Sequence, residues 1–342
     1  MPVRRPSRGS HIMRAMSFFA ILFALLLEQA RPLARSNPIR AGLRAWALSV
    51  SRNFDAGKSH HGWVAWGLAV LLPSLLTLGV HWLLLWGLGW PFAVVWSTAV
   101  LYLTLGFRQF SHHFTSIRIA LLEGDEMRAR ELLAQWQQVD ASELPRSEIV
   151  RHVIEYSVLA AHRHVFGTLA WFSVLAAFGL GPAGAVFYRL AEFASRYWKH
   201  ASRLQAQPAS PSLERAAAKA WTVIDWLPAR MTALSFAVVG SFEEAIDGWR
   251  YHAQRFPNDN DGVVLAATSG AINVRLGGSA LRAAHPQTTL LVEGEVEPPD
   301  SGSTPGREPE VAHLAQVVGL VWRSVVVWMG LLALLTLARL LG

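Results

Sequence analysis

The chain has 342 residues, 52% of them hydrophobic and 16% charged, with a net charge of +7, 15 Trp and no cysteine. Soluble domains carry about 25% charged residues, so an ordinary soluble enzyme is excluded, and the positive mean hydropathy excludes a disordered chain. Without cysteine there are no disulfides, thiolate metal sites, iron–sulfur clusters or cysteine nucleophile. The basic balance comes without a basic stripe interleaved with stacking aromatics, so no nucleic acid is expected as a partner. Lys and Arg gather equally in loops that face anionic lipid, and Trp concentrates at membrane interfaces, so the expected partner is a lipid bilayer. The fold class expected is all-α, a polytopic helical membrane protein with a cytoplasmic helical region.

In chain order, residues 1–15 form a basic arm with Arg4, Arg5, Arg8 and Arg14. The apolar run Met16 to Leu27 follows, but no small-x-small cleavage site does; Glu28, Gln29 and Arg31 come next. The run is shorter than the ~20 residues a spanning helix needs, which predicts an uncleaved, partly inserted helix. Trp63 to Trp86, interrupted only by Pro73 and His81, and Pro91 to Phe107 read as two spans joined by Gly87 to Trp90, a membrane hairpin. Six basic residues between 28 and 62 and seven Arg between 108 and 164 flank it, and the positive-inside rule makes both flanks cytoplasmic.

The segment 120–160 reads as soluble helices, one opened by Asp125-Glu126 and the next by Pro145. Val165 to Tyr188 is apolar but cut by Gly179-Leu-Gly-Pro-Ala-Gly184, which predicts a broken membrane element, since non-helical backbone at membrane depth needs protein or water around it. Met231 to Phe242 reads as a short apolar segment, and 263–276 as a helix capped by Gly277-Gly278. Ala266, Ala267, Ser269, Gly270 and Ala271 give that helix a small-residue face for close packing. Residues 279–312, rich in Pro, Gly, Ser and acids, read as a flexible linker, and 313–342 as a last span in which Arg323 and Arg339 snorkel.

Glu148, His152, Glu155 and His162 line one helical stripe. Carboxylates and imidazoles on one face can bind a divalent metal or move protons; they can equally form a hydrogen-bonded polar stripe, and no metal ligand set is assigned. Asp259-Asn260-Asp261-Gly262 lacks the spacing of a calcium loop and reads as a turn. No P-loop, G-x-S-x-G or H-E-x-x-H is present.

An ordered set of phrases carries a resemblance. These are Asn37-Pro38-Ile39-Arg40, Gly181-Pro182-Ala183-Gly184-Ala185-Val186 running into Tyr188-Arg189, Trp226-Leu227-Pro228-Ala229-Arg230, Trp249-Arg250, Phe256-Pro257-Asn258 and Ser269 to Gly278. In this order the chain, over residues 16–278, resembles the CobD/CbiB family of cobalamin-biosynthesis membrane proteins. The resemblance implies a multi-pass protein of a bacterial inner membrane that joins adenosylcobyric acid to aminopropanol or its phosphate. A corrinoid substrate, other corrinoid-pathway proteins as partners, and ATP with Mg are implied on the enzyme reading only.

The chain departs from the family pattern where Glu-x-Asn-x-x-Asp-Gly is usual: after Glu155 it reads Ala160-Ala161-His162-Arg163-His164. The usual Arg-Asp-Thr is Gln138-Val139-Asp140-Ala141, and Leu-Asp-Ser is Glu192-Phe193-Ala194. Asp140 and Glu155 are therefore the remaining candidate catalytic acids, and Arg230, Arg275 and Asn258 the candidate substrate-binding residues, guanidiniums being suited to anionic groups. The accessory protein AmpE, tied to β-lactamase induction, is more distantly similar. Two classes stand: an amide-forming ligase, and a non-catalytic membrane sensor or assembly protein on the same fold.

Overall fold

A computed structural model of the chain describes residues 8–30, 38–137, 140–204, 209–278 and 302–341. Among them the regular elements are helices, with two isolated β-bridges. The all-α expectation holds. Asn37 of the first family phrase and most of the linker, 279–301, lie outside the described residues.

Three described helices are long and apolar enough to cross a membrane: α3 (Ser59–Gly87), α10 (Pro211–Val239) and α13 (Val311–Leu341), the last over Val311–Ala338. Two shorter apolar helices accompany them, Ser17–Ala30 within α1 (Arg8–Ala30) and α4 (Trp90–Thr104). The sequence predicts α3 and α13 but not α10, of which 231–242 caught only the end. The expected span at 91–107 is a helix of 15 residues, about 22 Å long against a ~30 Å hydrocarbon core.

The contacts divide the chain into two units. The first comprises Met1–Gly106, Arg163–Pro228 and Trp328–Gly342. Here α3 packs against α4, α2 (Pro38–Phe54) and α9 (Ala183–Leu204), and α4 packs on α1. Ala65, Ala69, Ala191, Ala194, Ala217 and Ala220 line the α3–α9–α10 core, with Trp66, Tyr188 and Trp198 filling it. Small residues let helix backbones approach where lipid supplies no hydrophobic drive. Helix α8 (Gly167–Ala177) ends, and α9 starts after Gly181-Pro182. Gly181 has φ 54°, and a Cβ there would lie 2.6 Å from the His81 ring, so glycine is needed at this contact. The Trp82 indole N–H donates to the Gly179 carbonyl at 3.2 Å, tying α3 to the break.

The second unit comprises Phe107–His162 and Ala229–Val327. Its α5 (Phe107–Leu122), α6 (Glu126–Gln137) and α7 (Arg146–Ala161) pack on one another. Asp125 caps α6 by accepting the Arg128 N–H at 2.9 Å. Ile149, Val150, Val153 and Ile154 of α7 are fully buried, each stabilising by about 1.5–3 kcal/mol if the unit faces water. Helices α11 (Phe242–His252) and α12 (Asp259–Ile272) pack through the expected small-residue face. A Cβ on Gly270 would fall 2.0 Å from the Glu244 carbonyl oxygen, and one on Gly248 2.5 Å from that of Ala266.

Two expectations are corrected here. Helix α12 starts at Asp259, so Asp259-Asn260-Asp261-Gly262 is its first turn and not a free turn. It ends at Ile272 with Asn273 in the left-handed conformation (φ 51°); Asn is the common alternative to Gly there. Gly277-Gly278 lies beyond, at the end of a return segment. That segment pairs with residues the sequence assigned to the linker: Val274 bridges Arg307 and Gly277 bridges Ser303. The Thr304 hydroxyl accepts the Leu276 N–H at 2.9 Å and lies 2.6 Å from the Ser269 hydroxyl. Residues 302–310 thus form a strap.

Candidate functional site

The charged face of α7 is the densest polar cluster of the second unit. Arg151, 3% exposed, lies between two carboxylates of its own helix. Its guanidinium donates to Glu148 at 2.5 and 3.0 Å and to Glu155 at 3.1 Å. The spacing is i+3 from one and i−4 from the other, the separations at which helical side chains meet. The His152 ring, also 3% exposed, has Nδ1 3.6 Å from a Glu155 oxygen and Nε2 3.9 Å from one of Glu148.

Glu155 reaches off the helix. Its Oε1 accepts the Gly277 N–H at 2.7 Å, and Gly278 sits over the Arg151 guanidinium, a Cβ there meeting Cζ at 3.9 Å. A Cβ on Gly277 would lie 3.3 Å from the Phe256 ring, and Arg255 donates to the Ser303 carbonyl. The return segment therefore brings the Phe256-Pro257-Asn258 and Gly277-Gly278 phrases together at the acid face of α7. Burial alone pushes the Glu155 carboxyl up, but the His152 hydrogen bond, the Arg151 charge and the Gly277 N–H together hold it below the usual carboxylate range. Burial likewise opposes the charge on Arg151, and Glu155 and Glu148 more than restore it.

The other expected residues fall as follows. Arg230 of α10 donates to the Asn260 side-chain oxygen at 3.1 Å, which seats it on the first turn of α12. Asn258, just before that turn, donates to Asp261 at 3.1 Å. Arg275 is exposed on the return segment, and its backbone N–H donates to the Arg307 carbonyl at 2.8 Å. Asp140 is exposed and accepts the N–H and the hydroxyl of Ser142 at 3.0 and 2.7 Å, bonds that keep its carboxyl low. Among described residues those bonds tie it to its own turn. His162 leaves the stripe and meets the Thr232 hydroxyl at 2.9 Å. Sequence reasoning missed Arg151, whose signal is the Glu-x-x-Arg-x-x-x-Glu spacing.

A cavity of about 500 Å³ opens at the start of α7, lined by Arg146, Ser147, Val150, Glu308, Pro309 and Glu310. Its volume is in the range of small-ligand sites. A resident divalent metal does not fit what is present. Glu148 and Glu155 converge on Arg151, and no group of three or more His, Asp or Glu among the described residues is placed to hold a metal.

A family model described as CobD/Cbib protein matches residues 18–304. The chain is 32% identical over 323 residues to the cobalamin biosynthesis protein CobD of Stutzerimonas stutzeri, covering 91% of this chain and 95% of that one. It is 33% identical over 238 residues to the protein of the same name from Chromobacterium violaceum, 70% of each chain. A CobD of Leptospira interrogans is 27% identical over 198 residues, 56% of this chain and 59% of that one. No solved structure matches.

Proposed function

The chain belongs to the CobD/CbiB family of cobalamin-biosynthesis proteins, and from that premise we propose that it carries out amide coupling between adenosylcobyric acid and aminopropanol or its phosphate, as a multi-pass protein of a bacterial inner membrane. The observation that carries this reading is the extent of the match, nearly end to end with a relative named for cobalamin biosynthesis.

The chemistry forms a C–N bond between a carboxyl and an amine: the amine loses a proton, and the carboxyl would lose an oxygen, carried off in phosphate once ATP had activated it. Glu155 is the proposed proton acceptor. It is nearly buried, held below the usual carboxylate range by His152, Arg151 and the Gly277 N–H, and one hydrogen bond from the return segment. Asp140, engaged by Ser142, is the weaker candidate of the two acids. Arg230, Arg275 and Asn258 are proposed to hold the carboxyl and phosphate groups of substrates, where a guanidinium fork offers paired donors. The cavity, with Glu308 and Glu310 on its wall, suits a small ammonium. ATP would supply the activation of the carboxyl.

The test is restoration of cobinamide formation in a bacterium lacking its own CobD/CbiB enzyme, with membrane expression matched. Restored product is expected. Normal expression without product would favour the non-catalytic sensor or assembly reading.

A further inference from the structure

The contact that Glu155 makes off its own helix is set by residues far from α7. Gly277, whose N–H it accepts at 2.7 Å, stands near the end of the return segment, outside any helix. The strap holds that segment in place. Part of the hold is backbone: Arg275 donates to the Arg307 carbonyl at 2.8 Å, Arg307 to that of Asn273 at 3.2 Å, and Thr304 to that of Leu276 at 2.7 Å.

The Thr304 side chain supplies the rest. Thr304 and Ser269 of α12 are each 2% exposed. The Leu276 N–H donates to the Thr304 hydroxyl oxygen at 2.9 Å. That hydroxyl lies 2.6 Å from the Ser269 hydroxyl, which donates to the Val274 carbonyl at 2.8 Å. Each hydroxyl has one proton to give. The Ser269 proton goes to Val274, so the Thr304 proton goes to Ser269. Donation then runs one way, from the Leu276 N–H through Thr304 and Ser269 to the Val274 carbonyl. It closes a ring around residues 274–276, and bonds aligned in this way strengthen one another. Gly277 is the next residue. Packing there leaves little slack, since a Cβ on Gly277 would lie 2.6 Å from the Gly302 carbonyl oxygen, and one on Gly306 2.7 Å from the Val274 carbonyl carbon.

We propose that Thr304 is a positioning residue for Glu155: by bracing Leu276 it sets the Gly277 N–H against the carboxyl that takes up the amine's proton. Thr304 acts through Gly277 and takes no part in bond making. Its bearing on the reaction rests on the amide-coupling reading; its hold on the Glu155–Gly277 contact does not.

The experiment uses the purified full chain and two readouts. Thr304→Val keeps the shape and the backbone N–H to Leu276 but removes the hydroxyl. Amide exchange resolved to single residues should show Gly277 exchanging about tenfold faster, the factor one lost hydrogen bond supplies, with the amides of α6 unchanged. Amide formation from adenosylcobyric acid, aminopropanol phosphate and ATP should fall about tenfold in kcat at nearly constant KM, as when a transition-state interaction is lost. Thr304→Ser returns the hydroxyl and should restore both readouts. Ser269→Ala breaks the next link and should repeat both losses, which covers a Thr304→Val chain that does not fold. Unchanged Gly277 exchange in the Val and Ala variants, or no rescue by Ser, would overturn the positioning role. Faster exchange with unchanged kcat would overturn its bearing on the reaction. Absence of product from wild type would sink the amide reading alone, and the exchange would still decide whether Thr304 holds the Glu155 contact.

Discussion

Arg151 shows how a single residue decides between readings of a sequence. Taken without it, Glu148, His152 and Glu155 look like a metal or proton stripe. With it, both acids pair with a guanidinium, Glu155 through Oε1 while its Oε2 faces the His152 ring. A buried ion pair adds little net stability, but removing one partner leaves uncompensated charge. Arg151→Met should therefore destabilise the protein by about 3–5 kcal/mol, measured by denaturant unfolding in detergent. A loss under 1 kcal/mol would mean that the carboxylates find water instead. Glu155 gives the matching pH dependence. Its folded value lies below its unfolded value of about 4.3, so its stabilisation is present above that pH and is lost as pH falls through the folded value. Wild type should weaken below about pH 4, and Glu155→Gln should flatten that dependence. For the proposed substrate arginines the discriminating variants are Arg230→Lys and Arg275→Lys. Lysine keeps the charge but not the fork, so activity should fall at least about tenfold with membrane levels unchanged. Full activity in both would leave them as charged anchors.

Among the elements, those that face lipid were legible in the sequence and those that pack on protein were less so. Helices α3 and α13 are long apolar runs, broken only by Pro73 and His81 in the one and by arginines near the ends of the other, so composition alone marks them. Helix α10 carries Glu214, Arg215, Lys219, Asp225 and Pro228, and half of its most apolar window is buried by the rest of the protein. Its acid Asp225 accepts the hydroxyl of Tyr188, 37 residues away, a partner no local pattern reveals. The strap was illegible for a similar reason. Its Pro, Gly and Ser look like a linker until Thr304 and Arg307 meet the segment after α12. The site divides the same way. Glu155 was visible as an acid on a helical face, but its bond to Gly277 spans 122 residues. The small-residue face of α12 was legible, and it yields a sharp test. Gly270→Ala drives a methyl into the Glu244 carbonyl and should cost about 1–3 kcal/mol as overpacking. Gly319→Ala in α13 meets nothing within 4 Å and should be neutral or stabilising by up to about 1 kcal/mol. Thermal unfolding of the two variants side by side should rank them in that order; equal melting would show that α11 and α12 separate at little cost.

For the whole molecule the open variable is which side of the membrane each loop occupies, and charge decides it more than helix length. Helix α4 is shorter than the hydrocarbon core, so length alone does not make the α3–α4 hairpin a full double crossing. It is, however, packed against α1 and α3, and a short helix sheltered by protein can be accommodated by local thinning of the bilayer. The turn between them is only Leu88-Gly89, with Gly89 at φ 94°, too short to hold any translocated domain. On either flank lie the basic residues: six between 28 and 62, seven Arg between 108 and 164. Placing either flank outside would carry those cations across against the positive-inside bias. We therefore predict that reporter fusions after Lys58 and within 120–150 both read as cytoplasmic, while one inserted at Leu88 reads as external. A cytoplasmic signal at Leu88 with the other two unchanged would make α3 and α4 a re-entrant pair; an external signal after Lys58 or within 120–150 would reverse the orientation itself.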